Sequence, residues 1–171
     1  MTGILALTLW QPWATLVAEG AKPYEFRHWA TPRAYCGRRI AIHAGARKVV
    51  RKEILELLVR LNSEAWRTTG LNRDIAIPIL EAVAARPKCD NMLLSCIVCT
   101  VTLGEPIRDE DLERSLGFAP ADSDREEHTN WGWPMLDVRR VEPPVPYKGA
   151  QGFWLCEIPA DFISPKEQEA V

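Results

Sequence analysis

Long apolar runs are missing from this sequence of 171 residues. No stretch approaches the roughly 20 consecutive apolar residues that a membrane-spanning helix requires. The N-terminus also lacks the basic stretch, apolar segment and cleavage pattern of a secretory signal peptide. We therefore expect a cytoplasmic protein with no membrane partner. Five cysteines, an odd number with irregular spacing, agree with a reducing compartment.

The usual patterns of catalytic and metal sites are missing as well. No H-E-x-x-H, no G-x-S-x-G and no glycine-rich phosphate loop occurs, so nothing favours a hydrolytic triad or an NTPase. Cys96 and Cys99 form a C-x-x-C pair inside an apolar, β-branched run. In a strand, residues three apart point to opposite faces, so the two thiols should not chelate one ion. We expect no metal ion and no cofactor.

The charge that is present is distributed unevenly. The net charge is −2. From Lys22 to Arg60, however, there are ten basic and three acidic residues, and from Arg108 to Glu127 there are three basic and eight acidic residues. The first segment predicts a cationic surface that attracts polyanions. A solvated helix face with pairs at i,i+3 and i,i+4 is the alternative for its second half.

A strand–helix–strand pattern opens the chain. Apolar residues alternate from Leu5 to Leu9, as in a strand with one buried face. Pro12 suits the first position of a helix. Gly20 stands where a helix ends with a left-handed residue. From Tyr24 to Trp29 the period returns to two, which predicts a second strand.

The pattern G-x-K-x-x-E-x-R joins this helix to the second strand. It consists of Gly20, Lys22, Glu25 and Arg27, and the last two share one strand face. This pattern resembles the signature of the ASCH (activating-signal-cointegrator homology) domain family, which is related to the RNA-binding PUA domains. Three further segments support the resemblance in the family's order: residues 11–14 (QPWA), 37–44 (GRRIAIHA) and 148–154 (KGAQGFW).

The fold class predicted from these patterns is α+β. The remaining elements are a strand at 38–44, a helix through Ile54 to Leu61, a helix starting near Pro78, a strand at 92–103, a short helix in the acidic segment, a strand from Trp131 that prolines interrupt after about Val141, and a strand at 152–158. The resemblance implies a PUA-like β-barrel of about six strands with two to three helices. We expect one domain, residues 1–160, followed by a weakly ordered tail, residues 161–171.

The resemblance implies a ligand cleft beside the G-x-K-x-x-E-x-R pattern. There Arg27 would hold a phosphate or carboxylate through two hydrogen bonds. Alternatively, Lys22, Glu25 and Arg27 form an exposed cluster of ion pairs, which contributes little to stability. Indole rings can stack on bases, but they can also simply pack in the core. His43 can likewise be a buried structural histidine instead of a binding residue. The candidate binding residues are Trp10, Gln11, Lys22, Glu25, Arg27, His43, Arg47 and Trp131.

Two functions fit this pattern. The first is binding of nucleic acid, RNA rather than DNA, or of a nucleotide-like ligand. The second is a small hydrolase, either a ribonuclease or an amidohydrolase acting on a modified nucleoside, with Lys22 and Glu25 catalytic. In the amidohydrolase branch of the family a threonine lies three residues after the lysine, where this chain has Glu25. The third catalytic residue of that branch, a glutamate, would be one of Glu113, Glu126 and Glu127.

Overall fold

A seven-stranded sheet forms the centre of the computed structural model, which describes residues 1–116 and 131–163. The strands are β1 (Thr2–Leu9), β2 (Tyr24–Arg27), β3 (Arg39–Ala44), β4 (Cys96–Leu103), β5 (Ile107–Arg108), β6 (Trp131–Pro146) and β7 (Phe153–Ile158). Their spatial order is β2-β6-β4-β3-β1-β7, and β5 also pairs with β6. β1 and β3 are parallel, whereas the other pairs are antiparallel.

Four helices accompany the sheet in the described part of the chain. They are α1 (Trp13–Ala18), α2 (Arg51–Leu61), α3 (Arg73–Ala84) and α4 (Asp109–Leu116), with 3-10 turns at Arg33–Tyr35, Glu64–Thr69 and Ala160–Phe162. α1 packs across β3, β4 and β6, and α2 packs on α3. Leu16 of α1 lies in the same cluster as Ile54 of α2 and Leu80 of α3. The short helix α1 therefore links the sheet to the helical pair.

The α+β class is confirmed, but the barrel is not. Across residues 1–116 and 131–163 there are seven strands rather than about six, and four helices rather than two to three. Within these residues β2 pairs only with β6 and β7 pairs only with β1, so the sheet is open. None of the helices in these two ranges is long and apolar enough to cross a membrane.

The predicted interruption of the sixth strand is wrong. β6 continues to Pro146, past Pro143 and Pro144. Arg140 pairs with Cys99 of β4, and the next β6 residue paired with β4 is Val145, so the register shifts between them. A proline has no backbone N–H to donate to the neighbouring strand. Where the pairing is irregular, no such hydrogen bond is required. The two prolines are tolerated because they lie within this shift.

Two other boundaries differ from the sequence prediction. α3 begins at Arg73 instead of near Pro78, which lies inside the helix. β4 begins at Cys96 instead of residue 92, after Ser95 with a positive φ of 52°. Asp161 and Phe162 belong to a 3-10 turn, and Thr100 Oγ1 donates to the Phe162 carbonyl at 2.8 Å. The rest of the predicted tail, residues 164–171, lies outside the described residues.

Candidate functional site

The end of α1 delivers Lys22 to the sheet. Gly20 has the left-handed φ of 74° that its position predicts. The Ala21 N–H donates to Leu16 O at 2.8 Å and the Gly20 N–H donates to Val17 O at 3.0 Å, which is the Schellman pattern. Ala21 and Leu16 also share one apolar cluster, the contact that accompanies this motif. The helix thus turns sharply, and Lys22 follows directly.

Lys22 is buried, with 1% of its side chain exposed. Its Nζ lies 3.6 Å from Glu25 Oε2. The same nitrogen lies 5.1 Å from the ring centroid of Trp13 and 5.0 Å from that of Phe26, within the range of cation–π attraction. The ammonium group is therefore held between a carboxylate and two aromatic rings.

Arg27 completes the trio at the surface. Its Nη2 lies 2.9 Å from Glu25 Oε1, so one carboxylate contacts both cations. The exposed fraction of the side chains rises from Lys22 through Glu25, at 9%, to Arg27, at 34%. Arg27 Nε is buried and has no hydrogen-bond partner in the described part of the chain; the Thr31 hydroxyl is in the same situation. A buried N–H of this kind calls for an acceptor such as water or an anion.

Trp10 and Arg47 form a second group, at the ends of the two parallel strands. Thr8 pairs with His43 and Leu9 pairs with Ala44, so the residues that follow β1 and β3 emerge side by side. Trp10 is 54% exposed. The Arg47 guanidinium lies 4.7 Å from its ring centroid and makes two hydrogen bonds to Glu53, at 2.6 and 3.0 Å.

Gln11 is used inside the protein. It is buried, its Nε2 donates to Leu93 O at 2.9 Å, and its Oε1 accepts from the Thr15 N–H at 3.1 Å. The side-chain amide therefore fastens α1 to the loop before β4. This geometry gives Gln11 a structural task, while its predicted contact with a ligand stays a prediction.

His43 is also buried and engaged with its surroundings. Its Nε2 lies 3.0 Å from the Tyr147 carbonyl, which can only accept, so this nitrogen carries a proton. Its Nδ1 lies 3.2 Å from the Thr8 hydroxyl. Burial lowers the pKa of His43, although the hydrogen bond to Tyr147 works in the opposite direction. Gly149 packs directly on the imidazole ring. His43 thus anchors the segment between β6 and β7.

Trp131 lies beside Arg27, together with one residue that the sequence analysis did not select. Trp131 of β6 pairs with Arg27 of β2 on one side and with Arg108 of β5 on the other. Directly opposed residues of antiparallel strands share a face. The Arg108 guanidinium lies 4.8 Å from the Trp131 ring centroid. Arg108 was missed because it stands alone at the start of an acidic segment, where no local pattern distinguishes it.

The predicted site residues therefore fall into distinct groups. Contacts join Lys22, Glu25 and Arg27, while others join Trp10 to Arg47. Glu113, proposed as a catalytic residue of the hydrolase, is exposed on α4. Its alternatives Glu126 and Glu127 lie outside the described residues.

The cysteine pair departs from the geometric prediction. Cys96 and Cys99 are both buried and are free thiols, but they belong to the same core cluster. Ile97 and Cys99 face the consecutive residues His43 and Ile42 of β3, so β4 has one extra residue there that offsets the expected alternation. Desolvation raises the pKa of both thiols. Over residues 1–116 and 131–163, no group of three or more His, Cys, Asp or Glu side chains could hold a metal ion.

Comparison with known proteins gives a family and structural relatives. The family model described as ASCH domain matches residues 7–145. A crystal structure of a mutant ZmASCH protein from Zymomonas mobilis is similar, with 13% sequence identity and a TM-score of 0.48. That match covers 90% of this chain and 87% of the other. None of the curated proteins matches this chain.

Proposed function

Because the chain belongs to the ASCH domain family, we propose that it binds nucleic acid in the cytoplasm, RNA in preference to DNA. The proposed surface comprises the exposed Trp10, its neighbour Arg47, and the cleft beside the signature segment, which we define as residues 20–27. The observation that carries this proposal is the exposed indole of Trp10 with a guanidinium 4.7 Å from its ring centroid.

An exposed indole beside a cation suits a single-stranded ligand. A base can stack on the ring in place of water, which contributes about 1–3 kcal/mol per base. Arg47 pairs with Glu53 through two hydrogen bonds, and both side chains are 37% exposed to water. A phosphate, which arginine binds in the same bidentate way, can compete with Glu53 for this exposed guanidinium. Lys48, which follows it, is exposed and extends the basic character of this loop.

Titration with short RNA and DNA oligomers at two salt concentrations tests the proposal. Trp10→Ala should weaken binding by about 1–3 kcal/mol, as expected for one lost stacking contact. Arg47→Ala should also weaken binding and should reduce the slope of log affinity against log salt by about one phosphate contact. RNA should bind more tightly than DNA.

The chain contains a matched control for these variants. The Arg67 guanidinium lies 5.0 Å from the Trp66 ring centroid, in the turn before α3. Trp66→Ala and Arg67→Ala change the same residue types in the same kind of contact and should leave affinity close to that of the wild type. Equal losses of affinity in the Trp10 and Arg47 variants and in the Trp66 and Arg67 variants would contradict the proposed surface. So would the absence of binding at low salt.

One observation favours the hydrolase as a second candidate. The 3.6 Å between Lys22 Nζ and Glu25 Oε2 would suit a pair that stabilises developing charge and transfers a proton. Against it, the nearly complete burial of Lys22 leaves its amine little room to meet a substrate. Lys22→Met should abolish turnover of RNA or of an acylated cytidine if this candidate is correct. If the wild type binds the ligand without turning it over, and Lys22→Met still binds it, the hydrolase is excluded.

A further inference from the structure

Arg27, Trp131 and Arg108 form a row across three strands, which we call the guanidinium row. β6 lies between β2 and β5, so the backbones of the two arginines are two strand spacings apart, about 10 Å. Trp131 is half-buried, and its position in β6 lies between the positions of the two arginines. The three side chains lie on one face because each arginine is directly opposite Trp131 in an antiparallel pair.

Both arginines have hydrogen-bond donors to spare. Arg27 gives Nη2 to Glu25, whereas its buried Nε has no partner among residues 1–116 and 131–163. Arg108 is exposed and stacks on the indole. Stacking uses the face of a guanidinium and leaves its in-plane N–H groups available. The side chain of Arg108 makes no ion pair or hydrogen bond within the described ranges, where it contacts the Trp131 ring.

Three nearby carboxylates have partners outside the guanidinium row. Glu25 contacts Lys22 as well as Arg27. Asp109, next to Arg108 in the chain, accepts from the Glu110 N–H at 2.8 Å. Asp111 is paired with Arg114 at 2.8 Å. The guanidinium row therefore carries two cations on one face of the sheet, one on each side of Trp131 in the strand order.

We propose that the guanidinium row binds the terminal phosphate of a nucleotide or an oligonucleotide. A phosphate monoester has three terminal oxygens and a charge of about −1.5 to −2 at neutral pH, whereas an internal phosphodiester has two free oxygens and a single charge. Three terminal oxygens give two guanidinium groups more acceptors than a phosphodiester does, and two positive charges match a dianion better than a single negative charge. This inference rests on the proposed function for the ligand class and names Arg108 as its new binding residue.

The test compares ligands that differ only in a terminal phosphate. The probes are one short RNA with and without a 5′-phosphate, uridine 5′-monophosphate, uridine, and inorganic phosphate, all measured by calorimetry. The terminal phosphate should raise affinity about tenfold, the gain expected for charge-assisted hydrogen bonds to two arginines. The gain should shrink toward about pH 5, because the phosphate monoester takes up its second proton near pH 6.

Three variants identify the site. Arg108→Gln should remove the phosphate gain, and Arg108→Lys should remove most of it, because lysine keeps the charge but not the stacked fork. Arg114→Gln, which makes the same charge change nearby on α4, should retain it. Full retention in Arg108→Lys, or an equal loss in Arg114→Gln, would overturn the proposal in favour of general charge.

The outcomes also separate this inference from the proposed function. RNA that binds equally well with and without its terminal phosphate overturns the guanidinium row alone. Uridine 5′-monophosphate that binds through Arg108 while unphosphorylated RNA does not bind supports the row and removes the proposed function. If inorganic phosphate binds as tightly as uridine 5′-monophosphate, the assignment to a nucleotide is overturned. If neither RNA nor uridine 5′-monophosphate binds, both proposals are overturned.

Discussion

Replacing Glu25 with glutamine should destabilise this protein far more than replacing an equivalent carboxylate at its surface. The Glu25 carboxylate lies 3.6 Å from Lys22 Nζ and 2.9 Å from Arg27 Nη2, and 91% of its side chain is shielded from solvent. Glutamine keeps the shape but removes the negative charge. The ammonium group of Lys22 would then be buried without this carboxylate.

The size of the effect follows from burial. Removing one member of a buried ion pair costs about 3–5 kcal/mol, because the remaining charge stays desolvated. For a protein of this length, 1 kcal/mol lowers the melting temperature by about 2–4 °C. Glu25→Gln should therefore lower the melting temperature by about 6–20 °C. Urea denaturation followed by circular dichroism should show the same loss in the free energy of unfolding.

The chain supplies a control that differs mainly in exposure. Lys52 Nζ lies 3.7 Å from Glu56 Oε1, but the two side chains are 80% and 63% exposed. An exposed pair is worth about 0–1 kcal/mol, so Glu56→Gln should hardly change stability. If Glu25→Gln and Glu56→Gln cost the same, burial of the charges does not determine the stability of the signature segment, and the argument is wrong.

Three further predictions concern the segment around His43 and the thiols. A Cβ added at Gly149 would lie 2.3 Å from His43 Cε1, so Gly149→Ala should cost about 1–3 kcal/mol in urea denaturation. Gly3→Ala, with nothing within 4 Å, should cost less, and equal losses would refute the clash. Burial lowers the pKa of His43 below 6.5, so the unfolded chain takes up the proton first as pH falls through that value. Stability should therefore decrease on acidification, and less so in His43→Gln; an unchanged pH dependence in that variant would contradict this. Iodoacetamide should label the half-buried Cys36 before the other thiols, and mass spectrometry that shows the reverse order would refute their burial. Those buried thiols are Cys89, Cys96, Cys99 and Cys156, and burial raises the pKa of the last to about 11.

The local part of the candidate site could be predicted from the sequence because local rules determine it. Gly20 ends a helix, and the alternation that follows places Glu25 and Arg27 on one side of a strand. Both features depend on residues a few positions apart. The ion pair between Glu25 and Arg27 follows from that spacing.

The depth of each side chain could not be predicted in the same way. Lys22 is buried because Trp13 of α1 and Phe26 of β2 meet around it. The pattern alone gives no measure of this enclosure. In the same way, Arg108 enters the guanidinium row only because β6 pairs with both β2 and β5. Pairing between strands distant in sequence leaves no periodic signal in either segment.

The three charged residues of the signature segment differ in exposure, and we expect their roles to differ accordingly. Lys22 is enclosed, so its charge acts mainly on Glu25, which in turn accepts from Arg27 Nη2. Because Lys22 holds the Glu25 carboxylate in place, that carboxylate restricts the orientation of the Arg27 guanidinium. A guanidinium that is already oriented loses less conformational entropy when it binds an anion. We therefore expect Lys22 and Glu25 to act as positioning residues for Arg27. Arg27, the outermost of the three, is the one that retains a buried N–H without a partner in the described part of the chain.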